Sequence, residues 1–162
     1  MRMHIGGAVA LLGLALFFAE VALNADDKDK KEVPYPELPK GAGAIEKDAP
    51  KTFTKTDSGL EYRILRKGED KKPKASNTVE VNYHGWLDNG TVFDSSYKRN
   101  ESISFGLNQV IKGWTEGMQL VGKGGMIELQ IPAELGYGTR GAPPVIPPNA
   151  RLHFLVELLD IK

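Results

Sequence analysis

Four stretches of this chain alternate apolar and polar residues with a period of two, and no other feature constrains the fold as much. Leu60, Tyr62 and Ile64 alternate with Glu61 and Arg63, and Val79, Val81 and Tyr83 alternate with Glu80, Asn82 and His84. Ile127, Leu129 and Ile131 alternate with Glu128 and Gln130, and Leu152, Phe154, Val156 and Leu158 alternate with Arg151, His153 and Glu157. Successive side chains of a strand point to opposite faces, so each stretch predicts a strand with one buried and one wetter face. Asn89-Gly90, between Trp86-Leu87 and Val92-Phe93, marks a tight hairpin. Antiparallel sheets tolerate a solvated face, so the predicted sheet is antiparallel. One segment departs from the pattern. Asn108 is a good N-cap, and Val110, Trp114 and Met118 recur at helical spacing with Ile111 beside them. This predicts a helix of about three turns, stopped near Gly122. Gly113 and Gly117 weaken it by about 1 kcal/mol each relative to alanine, but they leave one face small enough for close approach. The fold class is therefore α+β: a twisted antiparallel sheet of about five to six strands with one short helix.

Composition removes several kinds of chemistry. A chain of 162 residues allows one domain and a tail. Lys plus Arg and Asp plus Glu are 21 each, so net charge exerts no general pull on nucleic acid. Cysteine is absent, which excludes disulfides, zinc ribbons, iron–sulfur sites and a thiol nucleophile. His4, His84 and His153 are far apart, with no metal-ligand spacing. No metal and no cofactor are expected.

Three segments precede or form the domain. Residues 1–25 are predicted to be a signal peptide. Arg2 supplies the positive start, and Ile5 to Ala19 is an uncharged apolar run within the ~7–15 residues of a secretory core. That run is shorter than the ~20 residues needed to cross a bilayer. Cleavage is expected after Ala25; an uncleaved anchor over Ile5–Leu23, with Glu20 near its end, is the alternative. Residues 26–51 are expected to be a flexible spacer. They carry a charge run from Asp26 to Glu32 and the prolines Pro34, Pro36, Pro39 and Pro50. On this reading a chain starting near Thr52 keeps its stability. Residues 52–162 form the folded domain.

Some motifs mislead. Gly136 to Gly141 spells G-x-G-x-x-G, but the proline-rich run that follows, Ala142 to Pro148, cannot start a phosphate-binding helix. Gly117 to Lys123 spells G-x-x-x-x-G-K, but Gly124 replaces the magnesium-binding hydroxyl. Asp88-Asn89-Gly90 lacks the spaced acids of a calcium loop. Ser95 and Ser96 have no identifiable base, and their hydroxyls are expected to cap a turn. What stands out is aromatic: Tyr83, Phe93, Phe105 and Phe154 on strands, Trp114 on the helix and Tyr137 in a loop. That loop also carries Pro143, Pro144, Val145, Ile146 and Pro147 where a polar surface is usual. An apolar loop over an apolar sheet can rim a pocket.

From about Thr56 to Lys162 the chain resembles FKBP-type peptidyl-prolyl cis–trans isomerases. The resemblance rests on Val81-Asn82-Tyr83-His84-Gly85, Gly90-Thr91-Val92-Phe93-Asp94-Ser95-Ser96, Gln109-Val110-Ile111-Lys112-Gly113-Trp114 and Leu135-Gly136-Tyr137-Gly138. Val145-Ile146-Pro147-Pro148-Asn149-Ala150 and Phe154-Leu155-Val156-Glu157-Leu158 match as well. The opening Thr56-Asp57-Ser58-Gly59-Leu60-Glu61-Tyr62 looks like bacterial members. The resemblance implies a sheet curled around the short helix and a pocket with Trp114 as its floor. Tyr83, Phe93 and Phe154 would be walls, and Val110, Ile111, Val145 and Ile146 would complete the apolar lining. Asp94 and Tyr137 would be polar contacts, Arg99 would orient Asp94, and the Ile111 amide would bind a substrate carbonyl. Ile103 stands where many members carry an aromatic, shortening one wall, and Ala142-Pro143-Pro144 stiffens the flap.

The resemblance further implies proline-containing polypeptides as substrates and rapamycin-type macrolides as inhibitors. A non-catalytic binding module or chaperone of this fold is the alternative. Nucleic acid is not an expected partner, and a membrane is one only if the N-terminal segment stays uncleaved. The expected location is the periplasm or the exterior. A monomer is expected, without the helical dimerisation arm of some exported relatives.

Overall fold

The computed structural model describes residues 31–162. The predicted signal peptide and residues 26–30 of the predicted spacer lie outside the described residues. The elements are β1 (Thr54–Lys55), β2 (Glu61–Arg66), β3 (Thr78–Leu87), β4 (Val92–Ser95), α1 (Ser96–Arg99), β5 (Ile103–Gly106), α2 (Lys112–Gly117), β6 (Met126–Ile131) and β7 (Leu152–Ile161). All strands pair antiparallel, in the order β1-β2-β6-β7-β3-β4, with β5 also on β3. Seven strands therefore stand where five to six were expected. The extra pairing comes from short pieces such as β1, whose two residues cannot carry a periodic signal.

Alternation holds most regularly in β3, where Val79, Val81, Tyr83, Gly85 and Leu87 are buried and the residues between them are half-buried. The Val79, Val81, Tyr83 and Leu87 side chains join Ile127, Leu129, Phe154 and Val156 on one face, against Trp114, Met118 and Leu107. The expected three-turn helix is shorter. Asn108 lies in a 3-10 turn, Leu107–Gln109, and does not cap the helix. Val110 and Ile111 are extended (ψ 175° and 148°), so α2 begins only at Lys112 and a 3-10 turn at Met118–Leu120 continues it. The two glycines do set the approach distance. A Cβ on Gly113 would lie 2.5 Å from Ile131, and one on Gly117 2.7 Å from Leu129. α2 thus rests directly on β6.

The opposite face is not the wet surface that alternation predicts. Residues 33–51 run along it without helix or strand, and Tyr35, Leu38, Ile45 and Ala49 pack on Leu65, Met126 and Leu155. The expectation of a flexible spacer is therefore corrected for residues 33–51: they form a strap on the domain. Arg63 explains why a proline-rich coil stays in place. It is fully buried, donates to the Val33, Lys51 and Pro34 carbonyls, and pairs with Glu128 at 2.7 Å. The rings of Tyr35 and Phe53 flank its guanidinium, 5.1 and 4.5 Å away. Strap carbonyls without sheet partners thus find a donor, as buried backbone requires.

Candidate functional site

The site lies where β3, β4, β7 and α2 meet, beneath the loop that follows β6. Trp114 is 4% exposed and packs edge-on against Tyr83 (5.5 Å), Phe105 (5.1 Å) and Phe154 (5.2 Å). Phe93 meets Phe154 edge-on at 5.3 Å. Gly85 makes this box possible: a Cβ there would sit 2.7 Å from the Phe93 ring and 2.8 Å from Phe154. The rings enclose a cavity of about 630 Å³.

The loop above it is built by turns. Gly136 and Gly138 donate to the Ala133 carbonyl, and Gly141 donates to that of Tyr137. Ala142 and Ile146 then exchange backbone hydrogen bonds at 2.9 and 3.0 Å, folding the prolines between them into a flap. The G-x-G-x-x-G stretch accordingly opens no helix. Tyr137 and Val145 stand exposed at the rim.

A polar triad occupies one edge. The Tyr83 hydroxyl donates to Asp94 Oδ2, Arg99 Nη1 donates to Asp94 Oδ1 at 2.5 Å, and Arg99 Nη2 donates to the Tyr83 oxygen at 2.9 Å. Partial burial works against the Asp94 charge, yet the hydrogen bonds from Tyr83 and Arg99 outweigh it and hold the carboxyl below its ordinary range. Burial, with the bond to Asp94, pushes the Tyr83 phenol up. At neutral pH the edge therefore presents a neutral phenol and an ionised carboxylate beside an arginine. Ser95 and Ser96, expected to cap a turn, place no side-chain cap on α1. Ser95 Oγ lies 3.0 Å from His84 Nδ1, while Ser96 Oγ accepts the Tyr83 amide and donates to Asn82. Both hydroxyls tie α1 to β3.

Of the residues singled out from sequence, Tyr83, Phe93, Asp94, Val110, Ile111, Trp114, Tyr137, Val145, Ile146 and Phe154 all line the cavity. Arg99 sits behind Asp94 and touches it. Ile103 is a correction: it is 40% exposed on β5 opposite Val81 and does not line the cavity. Its short branched side chain stops short, and Phe105, two residues on, supplies that wall against Trp114. Phe105, Gln109 and Ala142 also line the cavity, a role that sequence reasoning did not give them. Phe105 had a signal, as an aromatic on the same strand face as Ile103; Gln109 and Ala142 stood beside assigned lining residues or in the flap, but neither side chain is large or apolar enough to mark a wall.

The family model described as "FKBP-type peptidyl-prolyl cis-trans isomerase" matches residues 69–159. The FKBP-type peptidyl-prolyl cis-trans isomerase FkpA of Escherichia coli is 48% identical over 150 residues, covering 92% of this chain and 55% of that protein. The crystal structure of FkpA from Escherichia coli aligns with a TM-score of 0.66 and 51% identity, over 68% of this chain and 51% of that one. A crystal structure of a peptidyl-prolyl cis-trans isomerase from Pseudomonas syringae aligns with a TM-score of 0.64 and 34% identity, over 68% of this chain and 80% of that one. The chain spans about half the length of the FkpA relatives it matches. The matched region contains β3 through most of β7, every lining residue of the aromatic cavity and its polar edge. This chain therefore belongs to the FKBP-type peptidyl-prolyl cis-trans isomerases.

Proposed function

We propose that this chain is a peptidyl-prolyl cis–trans isomerase acting on folding or mature exported proteins. The observation that carries the reading is the aromatic box of Tyr83, Phe93, Phe105, Trp114 and Phe154, with an ionised Asp94 at its edge. Rotation about X–Pro breaks no covalent bond, so the site needs no nucleophile. The barrier, about 18–20 kcal/mol, is amide conjugation, and unaided rotation takes tens to hundreds of seconds. A twisted amide loses its charge separation, so a dry apolar box favours it over the planar, more polar ground state. Stabilising the twisted state more than the planar one is what raises the rate.

In this reading the proline ring rests on Trp114. The Tyr137 hydroxyl and the Ile111 amide hold flanking carbonyls, while Asp94, kept in place by Arg99, sets the field on the rotating bond. A rapamycin-type macrolide competes for the same box, and the domain acts as a monomer. The apolar run Ile5–Ala19 behind Arg2 supports export to the periplasm, with a mature N-terminus near Asp26. N-terminal sequencing checks this; an intact Met1 in the cytosol contradicts it.

A protease-coupled assay on proline tetrapeptides tests the activity. Wild type accelerates the cis-to-trans phase, and Asp94→Leu, folded, does so more slowly. No acceleration on any residue before proline would leave a non-catalytic binding module.

A further inference from the structure

α1 is four residues long, too short to hold its shape alone, and no side chain caps it. Yet it must keep Arg99, a half-exposed and flexible side chain, on both Asp94 and Tyr83. Two anchors fix it. Ser96 binds β3 directly. Tyr97, 8% exposed, passes to the other side of the sheet and donates its hydroxyl to Glu157 Oε1 at 2.5 Å. Glu157 collects two further donors, Arg66 Nη2 at 2.5 Å from β2 and the Gly43 amide at 3.1 Å from the strap. It lies opposite Asn82 in the β3–β7 register, one residue from the Tyr83–Val156 pair. The carboxylate that ties down the strap therefore also ties down the helix bearing Arg99.

We infer that Tyr97 is a positioning residue for the isomerase site, its hydroxyl on Glu157 fixing α1 so that Arg99 stays seated on Asp94 and Tyr83. This rests on the isomerase reading above. Glu157 keeps two donors without Tyr97, so Tyr97→Phe leaves the fold intact and loosens one end of a short helix.

Two measurements on the full chain test the inference. First, kcat/KM is measured for wild type, Tyr97→Phe, Arg99→Met and the double variant. Tyr97→Phe lowers it about two- to tenfold. The same change costs almost nothing further in the Arg99→Met background, because Arg99 is then no longer there to be misplaced. Glu157→Gln, which keeps an acceptor for the hydroxyl, retains most of the rate, whereas Glu157→Leu behaves like Tyr97→Phe. Second, the Asp94 carboxyl is titrated by carbon NMR, and its midpoint moves upward in Tyr97→Phe. A wild-type rate in folded Tyr97→Phe, equal losses in both backgrounds, or an unmoved Asp94 midpoint would each overturn the inference. If wild type itself accelerates nothing, the isomerase reading falls, and the Asp94 midpoint alone decides whether Tyr97 seats Arg99.

Discussion

The two faces of this sheet are held by different physics. On the helix side, Trp114, Met118 and the inward residues of β3, β6 and β7 form a contiguous apolar cluster, stabilised by burial that has no direction and scales with area. On the strap side a small apolar cluster around Leu65, Met126 and Leu155 surrounds a buried arginine and two buried glutamates. That side depends on directed bonds, and every buried side-chain polar atom among the described residues has a partner. The first face should lose stability by degrees as it is truncated. The second should fail when one partner is removed and partly recover when both are, because an unpaired buried charge is costlier than an apolar replacement.

The largest effects test that contrast directly. Arg63→Ala strands Glu128 and the Val33 and Pro34 carbonyls, and it should cost about 3–5 kcal/mol. Trp114→Ala should cost a similar amount, about 3–5 kcal/mol, through an unfilled cavity. Urea denaturation then separates the faces. Adding Glu128→Leu to Arg63→Met should restore part of the lost stability, whereas no such second change is expected to restore Trp114→Ala. Equal recovery, or none, would erase the distinction.

Removing the strap comes next. A chain beginning at Thr52 loses the packing of Tyr35, Leu38 and Ile45 and three acceptors of Arg63. Its melting temperature should fall by at least about 5 °C. An unchanged value would reinstate the spacer.

A smaller effect lies on the pocket rim. Tyr137 is 42% exposed, so Tyr137→Phe should leave stability unchanged. One neutral hydrogen bond is worth about 0.5–1.5 kcal/mol net, so kcat/KM should fall about two- to tenfold.

The smallest effect is in acid. Burial opposes the Glu157 charge, but bonds from Tyr97, Arg66 and Gly43 outweigh it and lower its pKa below the ordinary 4.5. Its stabilising contribution is therefore complete above about 4.5 and lost as pH falls through the lowered folded value. Glu128 runs the other way: burial outweighs Arg63 and raises its pKa, so its contribution declines as pH rises above the ordinary value. Glu157→Gln should flatten the acid limb of unfolding free energy against pH. An unchanged limb would place the acid sensitivity elsewhere.

The helix face was legible because burial there repeats every second residue, whereas Trp114 as floor and Tyr83 and Phe154 as walls came from the resemblance and not from the pattern. The strap was not. Tyr35, Leu38 and Ile45 are separated by prolines and charges at no fixed period, and composition alone reads as solvated. Arg63 sat at a position assigned to water, although its fully buried guanidinium holds that face together. Asn108 looked like a helix start because cap preferences are local, while the extended backbone at Val110 and Ile111 is imposed by what they pack against. Ile103 was misplaced because resemblance transfers a position, not the reach of a side chain.

The route of the strap also fixes an orientation. Val33 and Pro34 are pinned to Arg63 on the face turned away from the aromatic box. The described chain therefore begins behind the sheet, on the side away from the pocket mouth. A surface holding the domain at Val33 would see its back, and the mouth of the pocket would look outward, open to passing chains. A label or immobilisation point at Glu32 should leave entry to the pocket unobstructed, whereas one on the flap near Val145 would stand in the doorway.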